Sequence, residues 1–134
     1  MADVQIPETN KIILKVSDKA STEHGMFNWL QERGVAIVQA GSTAKAMELL
    51  ERYQYLFDAV ITNLRRIEPG SKIKNNNAGI ELTQQIRRFN QKIPIFIYTL
   101  NIDHAIRVSA KDSGVTVITT NPIELQDALK KYGV

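Results

Sequence analysis

The sequence predicts an α/β fold, a five-stranded parallel sheet of order 2-1-3-4-5 with helices on both faces, and three observations carry that expectation. Short, β-branched apolar runs recur five times along the 134 residues, each is followed by a stretch with the one-face apolar spacing of a helix, and Gly, Pro or Asn separates them. Strands that alternate with helices return through right-handed crossovers to a neighbouring parallel strand. The order 2-1-3-4-5 reverses direction between the first and third strands, so a crevice is expected at their carboxyl ends.

Lys11 to Val16 reads as the first strand. Ser21 or Thr22 can cap a helix running to Arg33, with Gly34 as its stop. Val35 to Ala40 is the second strand, and Ser42 or Thr43 then caps a helix whose Ala46, Met47, Leu50 and Tyr53 share one face. Phe57 to Thr62 is the third strand. After a long polar loop, a helix from Gly79 places Leu82, Thr83, Ile86 and Phe89 together, and Pro94 opens a fourth strand, Ile95 to Thr99. From Asp103 to Ser113 the apolar stripe is thin, with Ala105, Ile106, Val108 and Ala110, and Gly114 ends that helix. Val115 to Thr119 is the fifth strand. Asn121-Pro122 breaks it, and Leu125, Ala128, Leu129 and Tyr132 define the last helix.

Composition limits what such a chain can do. At 43% hydrophobic and 23% charged, 134 residues suffice for one core, and residues 1–134 are expected to form one domain with 1–10 as a flexible tail. With no cysteine there is no disulfide, no thiol nucleophile and no cysteine-based metal site, which fits a reducing cytoplasm as the expected compartment. The amino terminus has no basic segment followed by an apolar core, and no apolar stretch is long enough to span a bilayer, so neither export by that route nor membrane insertion is expected. The net charge of +3 resides in one place. Arg65, Arg66, Lys72 and Lys74 stand against Glu68 alone in the basic loop 64–78, so the rest of the chain is formally neutral. A nucleic-acid binder would spread its cations over a face or a helix, and none is expected as a partner.

Asn63 closes the run Phe57-Asp58-Ala59-Val60-Ile61-Thr62-Asn63, at the strand end that faces the crevice. With Ser17-Asp18 after the first strand, Thr99 after the fourth and Asn121-Pro122 after the fifth, the chain resembles the response-regulator receiver domains of two-component signalling, from Ile12 to Tyr132. The resemblance implies the flavodoxin-like, CheY-like form of the α/β fold. In that family the matching positions carry two acids, a phosphoacceptor aspartate, a Thr or Ser, and a Lys followed by Pro. Here Ser17 replaces one acid, Asn63 the nucleophile and Asn121 the lysine, while Asp18 and Thr99 remain. Gly79 matches the glycine that opens the third helix, Ile118 stands where the family has an aromatic switch, and the loop after Asn63 is several residues longer. An amide cannot form a stable acyl phosphate, and Asp18 alone offers a divalent cation one charged ligand.

What the resemblance implies is therefore a pseudo-receiver: a non-enzymatic signalling module, independent of phosphorylation, with no cofactor and no metal. Its expected partner is a protein or a second copy, bound through the fourth-helix to fifth-helix face, where Arg107, Lys111, Thr116, Gln126 and Lys130 are the candidates. The family also implies a cis peptide at Asn121-Pro122.

Each residue also has a structural reading. Asp18 can cap the following helix, and Asn63, Thr99 and Asn121 can serve as strand-end hydrogen-bonding groups. His24 and His104 open helices in polar settings without the partners of a triad, and Trp29 reads as core packing. The loop reads either as a flexible, Asn-rich insertion or as an anion clamp in which Arg65, Arg66, Lys72 and Lys74 hold a phosphate or nucleotide over the relic crevice, making a small-ligand sensor the alternative function. Gly70-Ser71-Lys72 lacks the length and context of a nucleotide P-loop. A third reading, a relative of TIR-type NAD glycohydrolases, finds no strand-loop motif with a committed glutamate.

Overall fold

The computed structural model describes residues 11–18 and 24–134, and within them the alternation becomes β1 (Ile12–Val16), α1 (His24–Glu32), β2 (Ala36–Ala40), α2 (Thr43–Arg52), β3 (Ala59–Thr62), α3 (Ala78–Arg87), β4 (Ile95–Tyr98), α4 (His104–Ser113), β5 (Val117–Thr119) and α5 (Pro122–Lys131). The expected tail 1–10 and the expected caps Ser21 and Thr22 lie outside the described residues. The five strands form one parallel sheet in the order β2-β1-β3-β4-β5, with Leu14 beside Val60 and Val60 beside Ile95 at its centre.

Period-two alternation along β1 divides the core between two faces. Leu14 and Val16 point to a layer made with Ala46 and Leu50 of α2 and Leu82 and Ile86 of α3. Ile13 points to the opposite layer, where Met26 and Leu30 of α1 meet Phe96, Leu125 and Leu129. A smaller cluster of Leu64, Ile80, Ile97 and Ala110 fastens α4 beside α3. Burial on both faces is why the central strands β3 and β4 read as unbroken apolar runs, while the edge strand β2 is largely half-buried or exposed and carries Gln39.

Capping chemistry sets the helix starts. The Ser42 hydroxyl accepts from Lys45 N at 3.0 Å, and Asp103 Oδ1 accepts from Ile106 N at 2.8 Å. Gly114 ends α4 in the left-handed conformation, at φ 93°. Several residues expected on apolar helical faces are not buried there: Ala105 and Val108 are exposed on α4, and Tyr132 caps α5 from beyond its last turn. Tyr53 leaves helical geometry at φ −126°, and Phe89 lies two residues past the end of α3, so both are partly exposed. Trp29 is half-buried against the α1 and α5 layer, with the Arg33 guanidinium 4.7 Å from its ring centre.

The loop after β3 is internally bonded. Arg66 and Asn75 pair as an antiparallel bridge, with N···O distances of 3.0 and 2.8 Å, around a turn in which Ser71 N donates to Glu68 O and Gly70 takes φ 84°. Asn75 continues the ordering into α3, since its Nδ2 donates to Glu81 and its Oδ1 accepts from Asn77 N. No helix among the described residues is long and apolar enough to cross a membrane.

Candidate functional site

At the carboxyl ends of β1 and β3 the expected residues meet. Asn63 Nδ2 donates to Asp18 Oδ1 at 3.0 Å and reaches Ser17 Oγ at 3.5 Å, while Asp18 Oδ2 accepts from the backbone of Ile67 at 3.0 Å. Both carboxylate oxygens of Asp18 are thus engaged with its own chain. The other side of the Asn63 amide is engaged too: Oδ1 accepts a short hydrogen bond from Arg66 Nη1.

Arg66 is the largest fully buried side chain among the described residues, at 0% exposure. Its Nη1 also donates to Thr62 Oγ1 at 2.9 Å, Nη2 donates to Thr43 Oγ1 at 2.8 Å, and Nε donates to Glu68 Oε1 at 3.3 Å. A buried guanidinium is tolerated only when its donors find acceptors, and each of its three nitrogens does here. Desolvation lowers the Arg66 pKa, opposed by the nearby charges of Glu68, Asp18 and Glu81. Glu68 has a second partner. Both of its carboxylate oxygens accept from Thr43 N, at 3.1 and 3.3 Å, which sets a negative charge on the positive end of α2. Sequence reasoning missed Thr43, Thr62 and Glu68. The one available signal was Glu68, the lone acid in a basic loop.

Arg65 points to the neighbouring strand end, where Nη1 donates to Thr99 Oγ1 at 3.1 Å and to Asn101 O at 3.3 Å. The four cations of the loop therefore do not converge. Arg66 is turned inward rather than lining the mouth, Arg65 holds Thr99, and Lys72 and Lys74 are exposed without a hydrogen bond or ion pair among the described residues. Gly79 seals the corner, because a Cβ there would lie 2.4 Å from Asn63 O and 3.2 Å from Leu64 Cα.

Asn121 does not join the crevice. Its Oδ1 accepts from Ile123 N at 2.8 Å and Glu124 N at 3.3 Å, making it the cap of α5 with Pro122 in the first turn. The expected cis bond at Asn121-Pro122 is corrected: the peptide is trans, and the extended Asn121 backbone, at φ −106° and ψ 118°, leads directly into the helix. On the expected partner face, Arg107 and Lys111 are exposed along α4 and Gln126 is half-buried. Thr116 is not a rim group, since its Oγ1 accepts from Ile95 N at 2.9 Å, and Lys130 leans over Trp29 on the α1 side of α5, 5.8 Å from the ring centre.

A parallel 2-1-3-4-5 sheet with its polar residues gathered at the switch point defines the flavodoxin-like, CheY-like class of fold, and residues 13–132 match the response regulator receiver domain family. The chain belongs to that family, whose domains generally act as non-enzymatic signalling modules. Among solved structures it is similar to a LuxR-family two-component response regulator from Aurantimonas sp. SI85-9A1, at 26% identity and TM-score 0.71, over 90% of this chain and 82% of that one. It is also similar to the chemotaxis response regulator CheY4 of Vibrio cholerae (20% identity, TM-score 0.71, 91% and 98% covered). The BeF3-activated N-terminal receiver domain of RstA from Klebsiella pneumoniae gives 19% identity and TM-score 0.72, with 91% and 97% covered. No curated protein matches the chain.

The divalent cation that the family implies does not fit the donor set of this crevice. Among the described residues no cluster of three acids or histidines could hold a metal: Asp18 accepts from Asn63 and Ile67, Glu68 is bonded to Arg66, and the amide oxygen of Asn63 is turned to that guanidinium, which a metal ion would have to displace.

Proposed function

We propose that this receiver domain acts in signalling as a protein-interaction module that is not phosphorylated. The observation that carries the reading is the engagement of Asn63 on both sides, by Asp18 and by Arg66. Phosphoryl transfer to a side chain needs a nucleophile and an open position in line with it, stabilised by cations that face the incoming group. Asn63 is a neutral amide, and the cation nearest to it is already bound to Thr62, Thr43 and Glu68. The fold is thereby kept with a crevice that closes on itself, and binding is left to the outer surfaces. The α4 to α5 side, with Arg107 and Lys111, is the proposed face for a protein partner or a second copy.

The alternative of an anion sensor has less support, because the two arginines it would use are engaged with Asn63, Thr62, Thr43, Glu68, Thr99 and Asn101. An NAD-consuming enzyme gains none, since the glutamate of the loop after Asn63, Glu68, is committed to Thr43 N and Arg66. Mass spectrometry of the chain after acetyl phosphate, and after beryllofluoride with Mg²⁺, tests the proposal. No adduct is expected, and a stoichiometric acid-labile adduct at the crevice would overturn it.

A further inference from the structure

The segment from Leu100 to Ser109 has few attachments to the rest of the domain. All of its residues are exposed except Ile102 and Ile106, which are half-buried. Ile106 packs against the cluster of Leu64, Ile80, Ile97 and Ala110, but the fully buried residues of α4, Ala110 and Ser113, lie in its carboxyl half, where Arg87 Nε also donates to Gly114 O at 2.9 Å. Apart from the backbone ladder of α4 itself, the hydrogen bond that ties Leu100 to Ser109 to another element of the described residues is that of Arg65 Nη1 to Asn101 O, shared with Thr99 Oγ1. A helix held at one end shifts about that end unless something fixes the other.

The base of this link is firm. Arg65 stands between Leu64, whose carbonyl accepts from Gly79 N at 2.9 Å and whose side chain is fully buried, and Arg66, which is anchored through Thr62, Asn63, Thr43 and Glu68. Two buried, hydrogen-bonded neighbours anchor the backbone from which the Arg65 guanidinium extends. Its charge-assisted bonds therefore join a rigid element to a loosely held one, which is the arrangement that places the second by means of the first.

We infer that Arg65 is a positioning residue that sets the placement of the β4 to α4 connection and, through it, of the amino-terminal half of α4. The consequence for binding rests on the face proposed above, but the positioning does not. Because the loop that supplies Arg65 is also the loop that supplies Arg66, the same few residues close the crevice and hold α4, without a phosphoryl group.

NMR-detected amide exchange on the full chain tests this. In Arg65→Ala the protected amides of Ile106 to Ser109 should exchange about tenfold faster while those of β1 and β3 are unchanged, because one charge-assisted contact is lost locally. Arg65→Lys should recover part of the protection, and Thr99→Val, which leaves the Asn101 carbonyl available, should lose less than Arg65→Ala. Unchanged exchange in Arg65→Ala, or an equal rise across β1 and β3, would overturn the inference. The face itself is tested separately, by charge reversal at Arg107 and Lys111: a local rise in exchange with no effect of that reversal on association would keep the positioning role and remove the face.

Discussion

Arg66 Nη1 donates to Asn63 Oδ1, so the residue that follows β3 faces a buried cation contributed three residues later by its own chain. That contact changes what a simple reversion can achieve. In Asn63→Asp the new carboxylate would meet the same guanidinium, which binds carboxylates in a fork and holds them more firmly than it holds an amide. It would also stand beside Asp18, whose partner was the lost amide N–H. The variant is expected to remain unreactive to acetyl phosphate, and its melting temperature should not respond to millimolar Mg²⁺. Differential scanning fluorimetry with and without Mg²⁺, followed by intact mass, measures both. A clear Mg²⁺-dependent stabilisation of this single variant would show that Arg66 does not occupy the place of the metal.

Removal of Arg66 tests the other half of the contact. Arg66→Ala would leave Thr62, Thr43, Asn63 and Glu68 without their shared donor inside the fold, and breaking one partner of a buried charged network costs about 3–5 kcal/mol. Glu68→Gln should cost less, about 1 kcal/mol, because an amide oxygen can still accept from Thr43 N. Urea unfolding followed by Trp29 fluorescence would rank the two. Equal small effects would mean that the guanidinium is not the centre of the network.

The sheet was legible because runs such as Ala59-Val60-Ile61-Thr62 are short, β-branched and bounded by breakers, which separates a strand buried on both sides from a buried helix. Helix ends were less legible. Tyr53 and Phe89 continue an apolar stripe in sequence, but the backbone has already turned away at both places, and spacing carries no information about where that occurs. The crevice was legible in its strand ends, since Ser17, Asp18 and Asn63 do meet, and illegible in its cations. A count of charges in residues 64–78 shows an excess but not a direction, and the inward turn of Arg66 depends on Thr43, twenty-three positions away in sequence. Thr116 was misread for a related reason: its hydroxyl is spent on the backbone N–H of Ile95, twenty-one positions away, whereas Asn121 follows its structural reading as a strand-end hydrogen-bonding group by capping α5.

Gly79 offers a test of the corner geometry rather than of the charges. The nearest atoms to a Cβ at this position are backbone, Asn63 O at 2.4 Å and Leu64 Cα at 3.2 Å, so relief would require β3 and α3 to separate. Gly79→Ala is expected to destabilise the domain by about 2–3 kcal/mol, the range of overpacked cores, despite the better helix propensity of alanine. The same substitution at Gly41, where a Cβ would meet nothing within 4 Å, provides the control. Denaturant midpoints for the pair should differ in that direction, and a neutral Gly79→Ala would mean that the strand end and helix start do not need this close approach.

The proposed face on α4 makes the last prediction. Arg107 and Lys111 lie one turn apart on the exposed side of a helix whose only buried residues are Ala110 and Ser113. Exposed charges of this kind contribute little to folding but strongly affect encounter with a charged partner surface, because the approaching surfaces feel them before any contact forms. Arg107→Glu combined with Lys111→Glu is therefore expected to leave the melting temperature within about 2 °C of the parent, as surface substitutions do, while weakening self-association in sedimentation equilibrium, with a stronger effect at low salt than at high salt. Should association be unaltered at every ionic strength, the second-copy form of the proposal fails. If Lys72→Glu with Lys74→Glu abolishes association instead, the loop after β3 is the contact surface, and the role of α4 is confined to the link through Arg65, Thr99 and Asn101.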